Sequence, residues 1–104
     1  MIVVIIYLDK ISVACGGFKE RNSNSVELKR IFVINDQRGK GLAKLLVSKL
    51  EEITKSRGYK YAVLETGVKQ HEAINLYKSC GYYTIANYEP YAENTKSVCM
   101  KKNL

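Results

Sequence analysis

The sequence predicts a single α/β domain on a mixed sheet, with the element order β-β-β-α-β-α-β-β. Its 104 residues are 46% hydrophobic and 26% charged, which is typical of one globular domain and not of a disordered tail, a collagen-like fibre or a transmembrane chain. Short apolar runs rich in β-branched residues predict the strands, and two segments with apolar residues at helical spacing predict the helices. We therefore treat residues 1–104 as one domain.

The first part of the chain predicts three strands. The first is apolar without interruption, as in a strand buried on both faces, and Asp9-Lys10 then turns the chain back into a hairpin. Gly16-Gly17 predicts a bulge or a close backbone contact, and Asn35-Asp36 ends the third strand. The predicted elements are a strand at Ile2–Leu8, a strand at Ile11–Phe18, a polar loop at 19–25 and a strand at Val26–Ile34.

Two helices and three further strands are predicted in the rest of the chain. An amphipathic helix runs from Gly41 to about Arg57, where Gly58 stops it. The strands on either side of it should form a right-handed parallel crossover. The apolar stripe of this helix consists of Leu42, Leu45, Leu46, the stem of Lys49, Leu50 and Ile53. The later elements are a strand at Lys60–Thr66, a helix at Gln70–Cys80 and closing strands at Tyr82–Ala86 and Ser97–Lys101.

Positive charge is concentrated in one part of the chain. Residues 29–60 hold nine Lys or Arg and three acidic residues, a net charge of +6 out of the +7 of the whole chain. Such a field favours an anionic partner, which could be a nucleotide, a nucleic acid or a lipid surface.

The cysteines and the N-terminal segment indicate a cytoplasmic protein without a metal. Cys15, Cys80 and Cys99 lack metal-ligand spacing, and the chain has one His, so we expect free thiols in a reducing compartment. The first eight residues have no basic leader and are too short to span a bilayer.

The most informative segment, residues 31–43, joins a buried strand to a helix through a glycine-containing turn. The N-terminus of a helix carries unpaired N–H groups that bind phosphates, and Gly39 and Gly41 would let a ligand approach the backbone. Arg38, Lys40 and Lys44 add positive charge. An ordinary strand-to-helix turn with solvated basic residues has the same pattern, so both interpretations stay open.

Three motifs resemble those of the GNAT acyltransferases. Arg38-Gly39-Lys40-Gly41-Leu42-Ala43 is similar to the signature R/Q-x-x-G-x-G/A, with which that family binds the pyrophosphate of acetyl-CoA. Glu65-Thr66-Gly67 ends a strand where the family's next strand ends, and residues 70–82 resemble its N-x-x-A-x-x-L-Y-x-x-x-G-F/Y helix. The resemblance implies a GNAT-like sheet and an acetyl-CoA-dependent N-acetyltransferase acting on an amine.

The resemblance also implies which residues bind acetyl-CoA. Backbone groups near Phe32 and Val33 would bind the acyl carbonyl and pantetheine arm, although both side chains also read as core. Gln70 stands where the family usually has an asparagine that contacts the pantetheine. The residues of the signature itself would bind the pyrophosphate: Arg38, Gly39, Lys40, Gly41, Leu42 and Ala43.

Two residues are candidates for proton transfer. Tyr77 matches a tyrosine that protonates the departing thiolate, a transfer that costs roughly 2 kcal/mol at ordinary pKa values; by pattern alone it would be core. Glu27 stands where several members carry a general base, and its alternative is an exposed glutamate paired with Lys29. The tyrosines at 82, 83, 88 and 91 could line the acceptor site, but we expect most of them to cover a sheet edge.

The resemblance leaves out the beginning of the family's domain, a strand and two helices that wall the acceptor side. A monomer should not leave a large apolar patch bare, so we expect a homodimer in which the partner covers the gap.

Two other functions remain as alternatives, a catalytically inactive CoA-binding module and, with less support, a basic nucleic-acid-binding domain.

Overall fold

The computed structural model describes residues 1–34 and 41–104 and contains six strands and two helices. Their order along the chain is the predicted one, β-β-β-α-β-α-β-β. The strands are β1 Ile2–Leu8, β2 Ile11–Asn22, β3 Ser25–Val33, β4 Tyr61–Gly67, β5 Tyr83–Ile85 and β6 Ser97–Asn103, and the helices are α1 Leu42–Ser56 and α2 His71–Ser79.

All six strands form one mixed sheet in the order β1-β2-β3-β4-β6-β5. The β3–β4 pair is parallel, as predicted for the strands around the first helix, and the other pairs are antiparallel. The parallel pairing joins Ser25–Glu27 to Tyr61–Val63. Beyond Glu27 and Val63 no further pair is formed between the described parts of these strands, although both continue. The two strands therefore diverge, and a gap opens in the middle of the sheet.

Both helices pack on one face of the sheet. The core cluster includes Val26 and Leu28 of β3, Leu64 of β4 and Tyr77 of α2 together with the buried residues of α1. Because side chains alternate along a strand, Glu27, Lys29 and Glu65 lie on the opposite face. We name this the open face, because no helix of the described residues covers it.

The prediction that β1 is buried on both faces is wrong, because the outer side chains of this edge strand lie on the open face, which no helix of the described residues covers. Ile2, Val4 and Ile6 pack against the core. The alternate side chains are exposed on the open face: Val3 57%, Ile5 46% and Tyr7 59%. In β1, an uninterrupted apolar run therefore does not indicate burial on both faces: every second side chain is exposed on the open face.

The predicted polar loop at 19–25 is also wrong, since β2 continues to Asn22 and the hairpin closes over Ser23 and Asn24 alone. The side chain of Asn22 explains the tight turn. Its Oδ1 accepts hydrogen bonds from the backbone N–H of Asn24 and from the Ser25 hydroxyl, both at 2.9 Å. Such an Asx-type turn satisfies the backbone without a longer loop.

The predicted apolar stripe of α1 is wrong at Leu45, which is 56% exposed. The buried residues of this helix are Leu46, Val47, Leu50 and Thr54. Thr54 is accommodated because its hydroxyl donates to the backbone oxygen of Leu50 at 2.7 Å. The strand predicted at Tyr82–Ala86 is shorter than expected, and the other boundaries differ by one or two residues.

The close contact predicted at Gly16-Gly17 is confirmed. The β2–β3 register shifts between Cys15 and Gly17. A Cβ on Gly16 would lie 2.6 Å from Cδ1 of Ile31 and 3.1 Å from Cδ2 of Leu46. The missing side chain thus lets α1 pack closely on β2 and β3, which sets the position of the N-terminus of α1.

None of the helices in the described ranges is long and apolar enough to cross a membrane. Within the same ranges, no three His, Cys, Asp or Glu side chains are grouped to hold a metal ion. The three cysteines are free thiols.

Candidate active site

Two cavities meet at the gap between β3 and β4. One has a volume of about 410 Å³ and is lined by Glu27, Lys29, Glu65, Tyr77 and Tyr91 among others; we name it the carboxylate cavity. The second, of about 450 Å³, runs from the end of β3 to the start of α1, and we name it the helix-end cavity. Four residues line both cavities: Ile31, Gln70, Ala73 and Tyr77.

The helix-end cavity ends at the N-terminus of α1. Gly41 caps this helix in the left-handed conformation, with φ of 77°, and makes no side-chain cap. No acidic residue lies in the first turn, so α1 itself does not offset the positive partial charge of its first N–H groups; Glu72, the acidic residue in the cavity lining, belongs to α2. Leu42, Ala43 and Lys44 line the same cavity. This end of the site can bind an anion.

The end of β3 supplies the wall opposite α2 in the helix-end cavity. Phe32 and Val33 both line it, but their side chains differ in position. Val33 is 8% exposed in the core, whereas Phe32 is 52% exposed. The prediction that Phe32 is core is therefore wrong, because it pairs with Cys15 on the open face while Val33 takes the helix-covered face.

The start of α2 supplies Gln70, the residue predicted to contact the pantetheine. Gln70 is the residue before the first turn of α2, makes no side-chain cap hydrogen bond there, and lines both cavities. His71 is exposed at the first helical position. Arg38, Gly39 and Lys40, the first half of the glycine signature, lie outside the described residues.

Tyr77 lies where the two cavities join. It is 8% exposed and packs edge-on against Tyr82, with ring centroids 6.0 Å apart. Burial, with a smaller contribution from Cys80, raises the pKa of the Tyr77 phenol. The phenol is therefore protonated near neutral pH, as a proton donor must be.

Glu27 is buried rather than exposed, which corrects the alternative considered for it above. Its side chain is 7% exposed. One oxygen, Oε2, accepts a hydrogen bond from the Tyr88 hydroxyl at 2.8 Å, and Oε1 lies 3.5 Å from Nζ of Lys29. The pairing with Lys29 is thus present, but inside the carboxylate cavity and not at the surface.

Tyr88 comes from the segment between β5 and β6, which folds over the open face. The Arg21 guanidinium lies 4.7 Å from the centre of the Tyr88 ring, and the Tyr91 ring meets it edge-on at 5.6 Å. Burial, followed by the hydrogen bond to Glu27, raises the pKa of Tyr88 far above its usual value. Tyr88 therefore keeps its proton and donates a hydrogen bond to Glu27 as a neutral phenol.

The amide of Asn87 holds this segment in shape. Its Nδ2 donates to the backbone oxygens of Tyr91 at 3.3 Å, Asn94 at 3.1 Å and Ser97 at 3.0 Å. The Ser97 hydroxyl in turn donates to Oε2 of Glu65 at 2.7 Å. The segment between β5 and β6 therefore positions Glu27, and the first residue of β6 positions Glu65.

Sequence reasoning missed the roles of Tyr88, Tyr91 and Glu65. It placed most of the late tyrosines at a sheet edge, which describes Tyr83, 46% exposed, but not the buried Tyr82. The segment that carries Tyr88 and Tyr91 has no periodicity, so its fold back onto β3 left no signal. The alternation of β4 could have placed Glu65 on the same face as Glu27.

Comparison with known proteins gives a consistent identity. Residues 1–82 match the family model described as Acetyltransferase (GNAT) family. The IAA acetyltransferase of Azospirillum brasilense is 31% identical over 93 residues, covering 88% of this chain and 61% of that protein. An uncharacterized N-acetyltransferase of Bacillus subtilis, YsnE, is 33% identical over 92 residues, covering 86% of this chain and 61% of that protein. The chain thus spans less than two thirds of the length of these relatives.

Solved structures give the same result for the fold. A putative acyl-CoA N-acyltransferase from Klebsiella pneumoniae superposes with a TM-score of 0.93 at 33% identity, covering 98% of this chain and 71% of that one. A GNAT family acetyltransferase from Elizabethkingia anophelis with acetyl-CoA bound has a TM-score of 0.88 at 16% identity, covering 98% of this chain and 75% of that one. The family model and the sequence relatives together establish that the chain belongs to the GNAT acetyltransferase family.

Proposed function

We propose that the protein transfers an acetyl group from acetyl-CoA to an amine that attacks the thioester directly in a ternary complex. The observation that carries the proposal is the meeting of the two cavities at Tyr77. One leads to a helix N-terminus suited to phosphates and the other to a buried carboxylate. Residues 1–104 would act together as one GNAT-like domain, with the cytoplasm as its proposed location.

The residues of the helix-end cavity fit acetyl-CoA as the acyl donor. Its pyrophosphate would bind at the first backbone N–H groups of α1, beside Leu42, Ala43 and Lys44. Arg38, Gly39 and Lys40 directly precede this helix in the sequence, and we propose that they bind the same phosphates. The pantetheine arm would extend along Phe32 and Val33 towards Gln70. The Elizabethkingia neighbour, which shares this fold, has acetyl-CoA bound.

Tyr77 is proposed to be the general acid. As the amine nitrogen forms its bond to the carbonyl carbon, the carbon–sulfur bond breaks and the thiolate takes the phenolic proton of Tyr77. The acylated nitrogen then loses one proton to become the amide, and that proton restores the Tyr77 phenol. Burial raises the pKa of Tyr77, which by itself makes the transfer harder. A thiolate leaving in the same desolvated site also has a raised proton affinity, so the two shifts offset each other.

Glu27 is proposed to accept the proton that the ammonium form of the amine must lose before attack. At pH 7 that loss costs roughly 4.6 kcal/mol for an ordinary alkylammonium. Glu27 lies on the same cavity as Tyr77 and can take the proton through a water. We expect Glu27→Gln to lower kcat and leave CoA affinity unchanged. An unaltered kcat would remove Glu27 from this role.

Calorimetric titration with CoA tests the donor half of the proposal. We expect micromolar binding that is lost in Gly41→Glu, because the new carboxylate would sit at the phosphate site. Gly58→Glu is a matched control, since Gly58 is also exposed and has φ of 88° with no atom within 4 Å of a built Cβ, but lies beyond the C-terminus of α1. Equal loss in both variants, or no CoA binding at all, would contradict the proposal.

A thiol-release assay over a panel of amines tests the acceptor half. Amine-dependent release of CoA supports the enzyme. If the protein binds CoA but releases no CoA thiol from acetyl-CoA with any amine of the panel, it is an inactive CoA-binding module.

We also propose that the protein is a homodimer whose partner covers the part of the open face formed by β1, β2 and the end of β3. Val3, Ile5 and Tyr7 of β1 and Phe32 of β3 leave this face apolar and exposed, and Ile5, Cys15 and Phe32 are neighbours in register across three strands. Light scattering should report a dimer, and Ile5→Glu should shift it towards the monomer. A native monomer at working concentration would contradict the dimer.

A further inference from the structure

The carboxylate cavity contains two carboxylates whose partners are unequal. Glu27 and Glu65 line it from the two strands that border the gap, and both lie on the open face. A group that binds between them from the open face reaches the junction where Tyr77 lies. The two carboxylates differ in how available they are to a ligand.

Glu27 is already paired inside the protein. Both of its oxygens are engaged, Oε2 by the Tyr88 hydroxyl at 2.8 Å and Oε1 by Nζ of Lys29 at 3.5 Å. Burial acts to lower the pKa of Lys29, but Glu27 and Tyr91 outweigh it, and the pKa is raised. The ammonium of Lys29 therefore stays charged and compensates Glu27, so a cationic ligand gains little there.

Glu65 has a hydroxyl as its partner and no cation. Its Oε2 accepts from Ser97 at 2.7 Å, and among residues 1–34 and 41–104 no Lys or Arg lies within ion-pair distance of it. The backbone oxygen of Ser97 accepts a hydrogen bond from Asn87 at 3.0 Å, so the start of β6, which donates to Glu65, is itself held in place. The exposed Arg30 also lines the cavity but forms no ion pair with Glu65, so this oriented, half-buried carboxylate is available to a cation.

The cavity limits the size of that cation. Its volume of about 410 Å³ is at the small end of ligand pockets, and the tyrosines at 77 and 91 give it aromatic walls, which favour an ammonium group and a short apolar body. We propose that Glu65 binds the reacting ammonium group of the acceptor, and that the acceptor is a small primary amine that is positively charged at neutral pH. This inference rests on the proposed N-acetyltransferase function and adds its substrate class.

Steady-state kinetics of Glu65→Gln with two acceptors test the inference. Butylamine is an ammonium ion at pH 7, and aniline is neutral. We expect the KM for butylamine to rise about tenfold or more, equivalent to about 1.4 kcal/mol, with the KM for aniline and for acetyl-CoA unchanged. Glu52→Gln is the matched control, because Glu52 is an exposed carboxylate on α1 that lines neither cavity.

The pH profile gives a second readout that a purely structural role would not move. A neighbouring carboxylate raises the pKa of a bound ammonium, so removing Glu65 should move the alkaline rise of kcat for butylamine to lower pH. An unchanged butylamine KM, or an equal rise in KM for aniline, would overturn the assignment of Glu65.

Equilibrium binding separates failure of this inference from failure of the proposed function. If the native protein binds CoA but acetylates no amine, the proposed function fails, and butylammonium binding to the CoA complex still tests Glu65. Weaker binding in Glu65→Gln than in Glu52→Gln then supports the ammonium site. Absence of binding to the native complex refutes it.

Discussion

The hydrogen bond from Tyr88 to Glu27 should be a measurable part of the stability of the site. The bond connects the segment between β5 and β6 to β3, with 2.8 Å between the Tyr88 hydroxyl and Oε2 of Glu27, and the accepting side chain is 7% exposed. Tyr88→Phe removes the donor but keeps the ring between Arg21 and Tyr91. The variant therefore isolates the hydroxyl.

The expected loss can be worked out from this geometry. Hydrogen bonds to charged groups contribute about 1.5–3 kcal/mol, and because Tyr88 is itself only half-buried we take the lower end, about 1.5 kcal/mol. For a domain near this size, that corresponds to a decrease in Tm of roughly 6–12 °C. Urea denaturation followed by circular dichroism measures the free energy of unfolding directly.

Tyr59→Phe is the matched control. The Tyr59 hydroxyl donates to Oε1 of Glu20 at 2.6 Å, the same chemistry at an exposed site. Water replaces a lost hydrogen bond at an exposed site at little cost, so the free energy of unfolding of Tyr59→Phe should be close to that of the native protein. Equal destabilisation by the two substitutions would show that Tyr88 does not hold a buried carboxylate.

Three further outcomes follow from the packing and the titrating groups. Gly16→Ala should destabilise the fold by about 1–3 kcal/mol in urea, because its Cβ would lie 2.6 Å from Ile31; a native-like midpoint would contradict the close contact of α1. Burial raises the pKa of Tyr77, Tyr82 and Tyr88, so their contribution to stability is complete below about pH 10 and is lost above it. An ultraviolet titration should show these phenols ionising only as the chain unfolds, and ionisation of all eight tyrosines near pH 10 in the folded chain would refute this. Asn87→Ala should raise the KM for the amine and not for acetyl-CoA, with faster amide exchange in the segment between β5 and β6; unchanged exchange would mean that Asn87 does not hold that segment.

The elements that could be predicted from the sequence are those with a local signal. Hydrophobic periodicity predicted both helices, all six strands and their order along the chain, and the paired glycines predicted the close contact at Gly16. The errors arose where the environment of a residue depends on distant parts of the chain. The apolar run of β1 predicts burial on both faces, but Ile5 is exposed because it lies on the open face, which no helix of the described residues covers, and the same holds for Phe32.

In the candidate site too, residues with a local sequence signal could be predicted and long-range contacts could not. Tyr77 and Gln70 were found because they belong to a motif with fixed spacing on one helix. The environment of Glu27 was not, since it depends on Tyr88, 61 residues away in sequence, brought there by a segment without periodicity. A motif gives the residue types of a site, while burial and hydrogen bonding depend on such long-range contacts.

The most direct test of acetyl transfer at this site is amine-dependent release of CoA from acetyl-CoA by the native protein and by Tyr77→Phe. We expect the native protein to release thiol with at least one small alkylamine, and kcat to fall by about a hundredfold or more in the variant, as for loss of a general acid. CoA affinity should be equal in both, because the substitution keeps the buried ring. Native release that Tyr77→Phe leaves unchanged, or CoA binding without release by any amine, would contradict the account.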